Sequence, residues 1–109
     1  MRPTKLLSLL ILISFFAQSK DVTIIDVRTD GEWQNGHLQS AVHIPLSEIE
    51  EEIKTLGYSK NQEIYLYCRS GNRSGKAEKI LRMLGYSNAQ NIGGIDTASK
   101  QLKLPIIKN

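Results

Sequence analysis

The 109-residue chain has one cysteine, Cys68, and two histidines, His37 and His43. One cysteine cannot close an internal disulfide, which excludes a disulfide-stapled miniprotein. One Cys and two His are also too small a donor set for a structural zinc site. No apolar run approaches the ~20 residues that a membrane-spanning helix needs. No basic run tracks a phosphate backbone, and nucleic acid is not the expected partner although the formal charge is +3. Internal repeats, linkers and low-complexity segments are absent from the sequence. What remains is 40% apolar and 23% charged, an ordinary globular composition, at a length that fits one small domain.

The longest apolar run, Leu6 to Phe16, lies at the N-terminus behind Arg2 and Lys5 and ahead of Ala17-Gln18-Ser19. A positive n-region, a short apolar core and small residues at the cleavage positions describe an export signal. We expect residues 1–19 to be a cleaved signal peptide and residues 20–109 to form the mature domain, exported and without a stable membrane anchor. Removing Arg2 and Lys5 with that segment leaves 12 Lys+Arg against 11 Asp+Glu. In an oxidising compartment an unpaired thiol is a liability unless it is buried or has a task, which draws attention to Cys68.

Strand and helix signals alternate along the mature chain. Val22-Thr23-Ile24-Ile25 is a β-branched run typical of a buried strand. Thr29 and Glu32 have capping-box spacing for a short helix. Ala41-Val42-His43-Ile44 is a second strand candidate, closed by Pro45. Ser47 and Glu50 repeat the capping-box spacing ahead of a helix whose apolar face is Ile49, Ile53 and Leu56. The acidic residues Glu48, Glu50, Glu51 and Glu52 precede Lys54, the charge order that suits a helix dipole and marks a solvated helix start rather than a metal site. Ile64-Tyr65-Leu66-Tyr67 is a continuous apolar strand leading into Cys68. Ala77, Ile80, Leu81 and Leu84 outline a further helix face, stopped by Gly85. Ala89-Gln90-Asn91-Ile92 is the last strand candidate. The alternation predicts an α/β fold with a mostly parallel central sheet and helices on both faces.

Cys68 carries the chemistry. It ends a strand, where open parallel sheets bind their ligands, and a helix is expected about six residues later. Backbone N–H groups of the intervening loop can turn inward with a helix N-terminus behind them, a nest that favours negative charge and lowers a thiol pKa. Arg69 and Arg73 add donors and positive charge for an incoming anion. His37 and His43 read as hydrogen-bonded structural residues rather than general bases, and Asp26 and Arg28 as structural support at the end of the first strand.

These residues resemble the rhodanese family. Ile25-Asp26-Val27-Arg28 is similar to its first strand motif. Glu32-Trp33, Gly36-His37-Leu38, Ala41 and His43-Ile44-Pro45-Leu46 resemble its second block. Tyr67-Cys68-Arg69-Ser70-Gly71-Asn72-Arg73-Ser74 resembles its active-site loop, and Gly93-Gly94 its late glycine pair. Ile95 departs from the pattern, since many members have an aromatic residue after the glycines; the seating of Leu102, Leu104, Ile106 and Ile107 is therefore left open.

The resemblance implies a single rhodanese-like domain, most like the compact exported members. It implies a thiosulfate sulfurtransferase that moves sulfane sulfur to cyanide or a thiol through a Cys68 persulfide. The loop Arg69, Ser70, Gly71, Asn72, Arg73 and Ser74 would bind the substrate, with no metal or organic cofactor. Two other readings share the cysteine loop. One is a persulfide carrier or binding module that serves a specific protein partner. The other is a cysteine-dependent phosphatase or arsenate reductase. That class has a Cys-to-Arg interval one residue longer than the four residues between Cys68 and Arg73, and the shorter ring suits a sulfur atom better than a phosphoryl group.

Overall fold

The computed structural model describes residues 21–109. The expected signal peptide, residues 1–19, lies outside the described residues. Four parallel strands form the central sheet in the order β3 (Val42–His43), β1 (Val22–Asp26), β4 (Glu63–Cys68), β5 (Ala89–Gly94). The helices are α1 (Asp30–Gln34), α2 (Ile49–Thr55), α3 (Asn72–Met83) and α4 (Ile95–Leu102). Two short antiparallel strands, β2 (His37–Leu38) and β6 (Ile106–Ile107), form a separate ribbon.

The two inner strands, β1 and β4, are mostly apolar because both of their faces are covered. Alternation along β4 sends Ile64, Leu66 and Cys68 to one face and Tyr65 and Tyr67 to the other. The first set packs with Ile25 of β1, Val27 just beyond it, and Ile49, Ile53, Ala77 and Leu81, the inward residues of α2 and α3. The second packs with Ile24, Leu38, Ile92 and Ala98, over which Ile95, Leu102 and Leu104 close. The predicted α/β fold with a parallel sheet and helices on both faces is thus the observed one.

Strand order places the site. From β1 the chain moves outward to β3, then crosses back to β4 on the other side of β1. The order reverses between β1 and β4, so a crevice opens at their carboxyl ends, next to Arg28 and Cys68. Asp26 is level with Tyr67 in the parallel register. On β5 the register slips after Asn91, and Cys68 pairs with Gly94. The extra residue sits where Gly93 takes φ +93°, the backbone region a bulge glycine supplies.

Local expectations divide. The Thr29–Glu32 capping box is present, with Thr29 Oγ1 accepting from the Glu32 N–H and the Thr29 N–H donating to Glu32 Oε1. The Ser47–Glu50 box is not. A 3-10 turn over Leu46–Glu48 runs directly into α2, whose Glu48 N-cap makes no side-chain bond. The Glu48 N–H donates to the Pro45 carbonyl at 2.8 Å, so tighter backbone bonding replaces a cap. Ile49 and Ile53 are fully buried, whereas Leu56 is 39% exposed because α2 ends at Thr55 and leaves Leu56 beyond its last helical residue. Gly85 stops α3 as expected, with φ +101° and with the Gly85 and Tyr86 N–H groups donating to the Arg82 and Leu81 carbonyls. Helix α4 and strand β6 had no counterpart in the sequence reading.

Candidate active site

Cys68 lies where β4 meets α3. The connection is shorter than expected: Asn72, Arg73 and Ser74 already belong to the first turn of α3, leaving Arg69, Ser70 and Gly71 as the loop. Gly71 makes this possible. As N-cap it takes φ +98°, which turns the chain into the helix at once and directs N–H groups toward the sulfur. The Gly71 N–H donates to Cys68 Sγ at 3.0 Å, and Ser74 Oγ lies 3.3 Å from the same sulfur.

Burial pushes the Cys68 thiol up. The Ser74 hydroxyl and the N–H groups of Ser74, Ser70 and Gly71 outweigh it, and the thiol is held below its ordinary value. Cys68 itself is only 1% exposed. The loop is pressed against β5, where a methyl group on Gly94 would strike the Arg69 carbonyl and one on Gly71 would come within 3.4 Å of Gly93 Cα.

The two loop arginines differ. Arg73 is clamped by α1, donating from Nη1 and Nη2 to Glu32 Oε1 and Oε2 at 2.7 and 2.9 Å. That fork holds the Glu32 carboxyl down at about 2, chiefly through the Arg73 hydrogen bonds. Arg69 is exposed and forms no ion pair among the described residues. It borders an open depression of about 410 Å³ together with Arg28, Glu32, Asn35, Gly36, Ile95 and Ile106.

Asp26 and Arg28 form a buried pair at the end of β1, with Arg28 Nη2 2.7 Å from Asp26 Oδ2 and also from the Gly36 carbonyl. Burial alone would lower the guanidinium pKa, but the bonds to Asp26 raise it overall. The pair stitches β1 to the turn before β2. His37 Nδ1 donates to the Leu38 carbonyl and His43 Nε2 to that of Arg28, while the Trp33 ring stacks on both imidazoles. The tasks visible for the two histidines are contacts to backbone and to neighbouring rings.

Two site residues escaped the sequence reading. Glu32 registered as a helix cap, and nothing in its spacing linked it to Arg73, 41 positions away. Asn91 was counted only as part of a strand, yet its side chain reaches Ser74, Gly71 and Gly93. The sequence Ala89-Gln90-Asn91-Ile92 holds two adjacent polar residues, and nothing in it sets Asn91 apart from Gln90. Among the described residues no three His, Cys, Asp or Glu side chains converge as metal ligands, and no helix is long and apolar enough to cross a membrane.

Comparison with known proteins gives a consistent result. A family model described as a rhodanese-like domain matches residues 14–100. The thiosulfate sulfurtransferase PspE of Escherichia coli is 39% identical over 84 residues, covering 77% of this chain and 77% of that protein. A sulfurtransferase from Allochromatium vinosum is 33% identical over 84% of this chain and 83% of its own length. Among solved structures, a rhodanese with anions from E. coli superposes with a TM-score of 0.72 at 37% identity, over 82% of this chain and 100% of that one.

Proposed function

The chain belongs to the rhodanese-like domain family, and on that premise we propose that it is an exported thiosulfate sulfurtransferase with Cys68 as its nucleophile. The observation that carries this reading is the ring of donors on one sulfur: the Gly71 N–H at 3.0 Å and the Ser74 hydroxyl at 3.3 Å, at the N-terminus of α3.

The Cys68 thiolate attacks the outer sulfur of thiosulfate. The S–S bond of the donor breaks and sulfite leaves with the electron pair, so Cys68 becomes a persulfide. The same N–H groups that hold the thiolate then face the terminal persulfide sulfur, as an oxyanion hole faces oxygen. In the second half-reaction cyanide or a thiol attacks that sulfur, the persulfide S–S bond breaks with its electron pair going to Cys68 Sγ, and the thiolate returns: a ping-pong cycle. A thiolate already formed needs no general base, which agrees with histidines occupied elsewhere. The near-complete cover over Cys68 favours a donor that presents its reactive atom at a slender end, as thiosulfate does. Arg69, with its uncommitted charge beside the open depression, is the residue that meets the donor's anionic end.

Intact mass tests the reading. Thiosulfate is expected to add one sulfur to Cys68, and cyanide to remove it with thiocyanate formed, while Cys68→Ser folds normally and takes up none. Turnover by Cys68→Ser would sink the assignment. A persulfide that forms but resists cyanide and small thiols would replace the enzyme with a dedicated carrier. Residues 1–19 are on this reading a cleaved signal peptide, and the same spectrum of protein recovered after export is expected to show a chain beginning at Lys20.

A further inference from the structure

The carboxamide of Asn91 reaches from β5 across the first turn of α3. Nδ2 donates to the Gly71 carbonyl at 3.0 Å and Oδ1 accepts from the Gly93 N–H at 2.9 Å. Those partners settle which atom is the oxygen, because a carbonyl needs a donor and an N–H needs an acceptor. Two glycines make room for the group: a Cβ on Gly75 would lie 3.3 Å from Nδ2, and one on Gly71 3.9 Å from it.

Oδ1 is also 2.7 Å from Ser74 Oγ, so the hydrogen between them is the hydroxyl's own. The same Oγ is 3.3 Å from Cys68 Sγ. Ser74 is fully buried and has a single O–H, so it cannot donate to both. Beside a thiol, Ser74 donates to Asn91 and accepts from the S–H. Beside a thiolate, the hydroxyl must turn its proton to the sulfur, and Oδ1 loses that donor.

We propose that Asn91 is a positioning residue that competes with Cys68 for the Ser74 proton and so sets how much of Cys68 stands as thiolate. The consequence for catalysis is a compromise. A thiolate held too strongly is abundant but a weak nucleophile, and the competing acceptor limits how far that goes. The inference rests on Cys68 being the reactive group of the proposed sulfur transfer. Thiolate content is measurable without any sulfur donor, so the two readings fail separately.

Among the charged groups, Arg73 acts on the Cys68 charge and is paired with Glu32, Arg69 follows Cys68 in the loop, the Asp26–Arg28 pair ends β1, and Asp96 opens α4 two residues after Gly94, the β5 partner of Cys68. Glu78 on α3 accepts from the Asn91 N–H. All are retained in every variant below. The Gly71 carbonyl also keeps its bond from the Gly75 N–H when the carboxamide is removed.

The test is the rate of Cys68 alkylation by iodoacetamide against pH. Asn91→Ala removes the competing acceptor, and its acid limb is expected to move to lower pH, with alkylation on that limb about threefold faster than wild type. Asn91→Asp holds the proton more strongly and adds a negative charge, so its limb is expected to move to higher pH. Ser74→Ala is expected to move the limb up as well, and adding Asn91→Ala to it is expected to change nothing further. A residue that merely holds the loop in shape would move the Ala and Asp variants the same way. That outcome, or an equal effect of Asn91→Ala with and without Ser74, overturns the proposal. If circular dichroism finds Asn91→Ala unfolded, Asn91→Leu, which has the same outline without the polar atoms, takes its place in every comparison.

Discussion

Two arginines flank the sulfur, and their surroundings give them different tasks. Arg73 is spent on Glu32, in a fork shared between α1 and α3. Arg69 keeps its charge, so Arg69→Ala is expected to raise the KM for thiosulfate about tenfold with little change in kcat, and added salt to narrow the gap. Initial rates over a range of thiosulfate concentrations check this, and an unchanged KM would remove Arg69 from the donor site. For the Glu32–Arg73 fork the readout is stability. Folding lowers the Glu32 pKa from its unfolded value near 4.3 to about 2. The stabilisation is therefore complete above the unfolded value and disappears as pH falls through about 2. Glu32→Gln is expected to cost about 1 kcal/mol at neutral pH, modest because both side chains are partly exposed. Urea titrations are expected to show wild type and variant converging below about pH 4. Glu32 was legible as a helix cap because capping is a rule of local spacing. Its hold on Arg73 was not, because that contact depends on where α1 and α3 come to rest.

At the scale of elements, the site is a strand end, a three-residue turn and a helix start, held against a bulged neighbour. Gly94 decides how closely they approach. Its φ of −83° suits any residue, so the strain of a substitution comes from contact alone. Gly94→Ala would drive a methyl group into the Arg69 carbonyl and push the loop off the sulfur. Thiosulfate loading of Cys68 is expected to fall by tenfold or more, with a lowered Tm but a folded protein. Loading at the wild-type rate would show that the loop has room to spare. The strand, cysteine and helix were readable because each has a strong local pattern, an apolar run followed by an i, i+3, i+4 face. The exact start of α3 was not, since it depends on Gly71 adopting a left-handed backbone. A glycine permits that conformation without announcing it. The Ser47 cap failed for a related reason: Pro45 opens a 3-10 turn whose backbone bonds make a side-chain cap unnecessary.

At the scale of the whole molecule, the sheet separates two apolar layers, and the chain's last residues close the second. Strand β6 pairs with β2, setting Ile107 opposite His37 and Ile106 opposite Leu38, while Asn109 Oδ1 meets His37 Nε2 at 2.9 Å. Leu38 is fully buried although its own strand is only two residues long. Ending the chain at Leu104 is expected to cost about 2 kcal/mol by uncovering Leu38 and unpairing the ribbon. Urea titration is expected to show an earlier midpoint with little change in slope. An unchanged midpoint would mean that the ribbon contributes nothing to stability.

The amino-acid sequence by itself determined the α/β architecture, the family and the place of the single cysteine at a strand end. All three rest on short-range information: apolar periodicity, turn residues and four ordered sequence blocks, from Ile25–Arg28 through Tyr67–Ser74 to Gly93-Gly94. It left open the partner of Arg73, the reach of Asn91 to the Ser74 hydroxyl, helix α4 and the closure of the tail over the second layer. Those belong to the tertiary structure. Each joins residues far apart in the chain, or, for α4, depends on packing a weak Ile95, Ala98 and Leu102 stripe onto a surface that exists only after the sheet has formed.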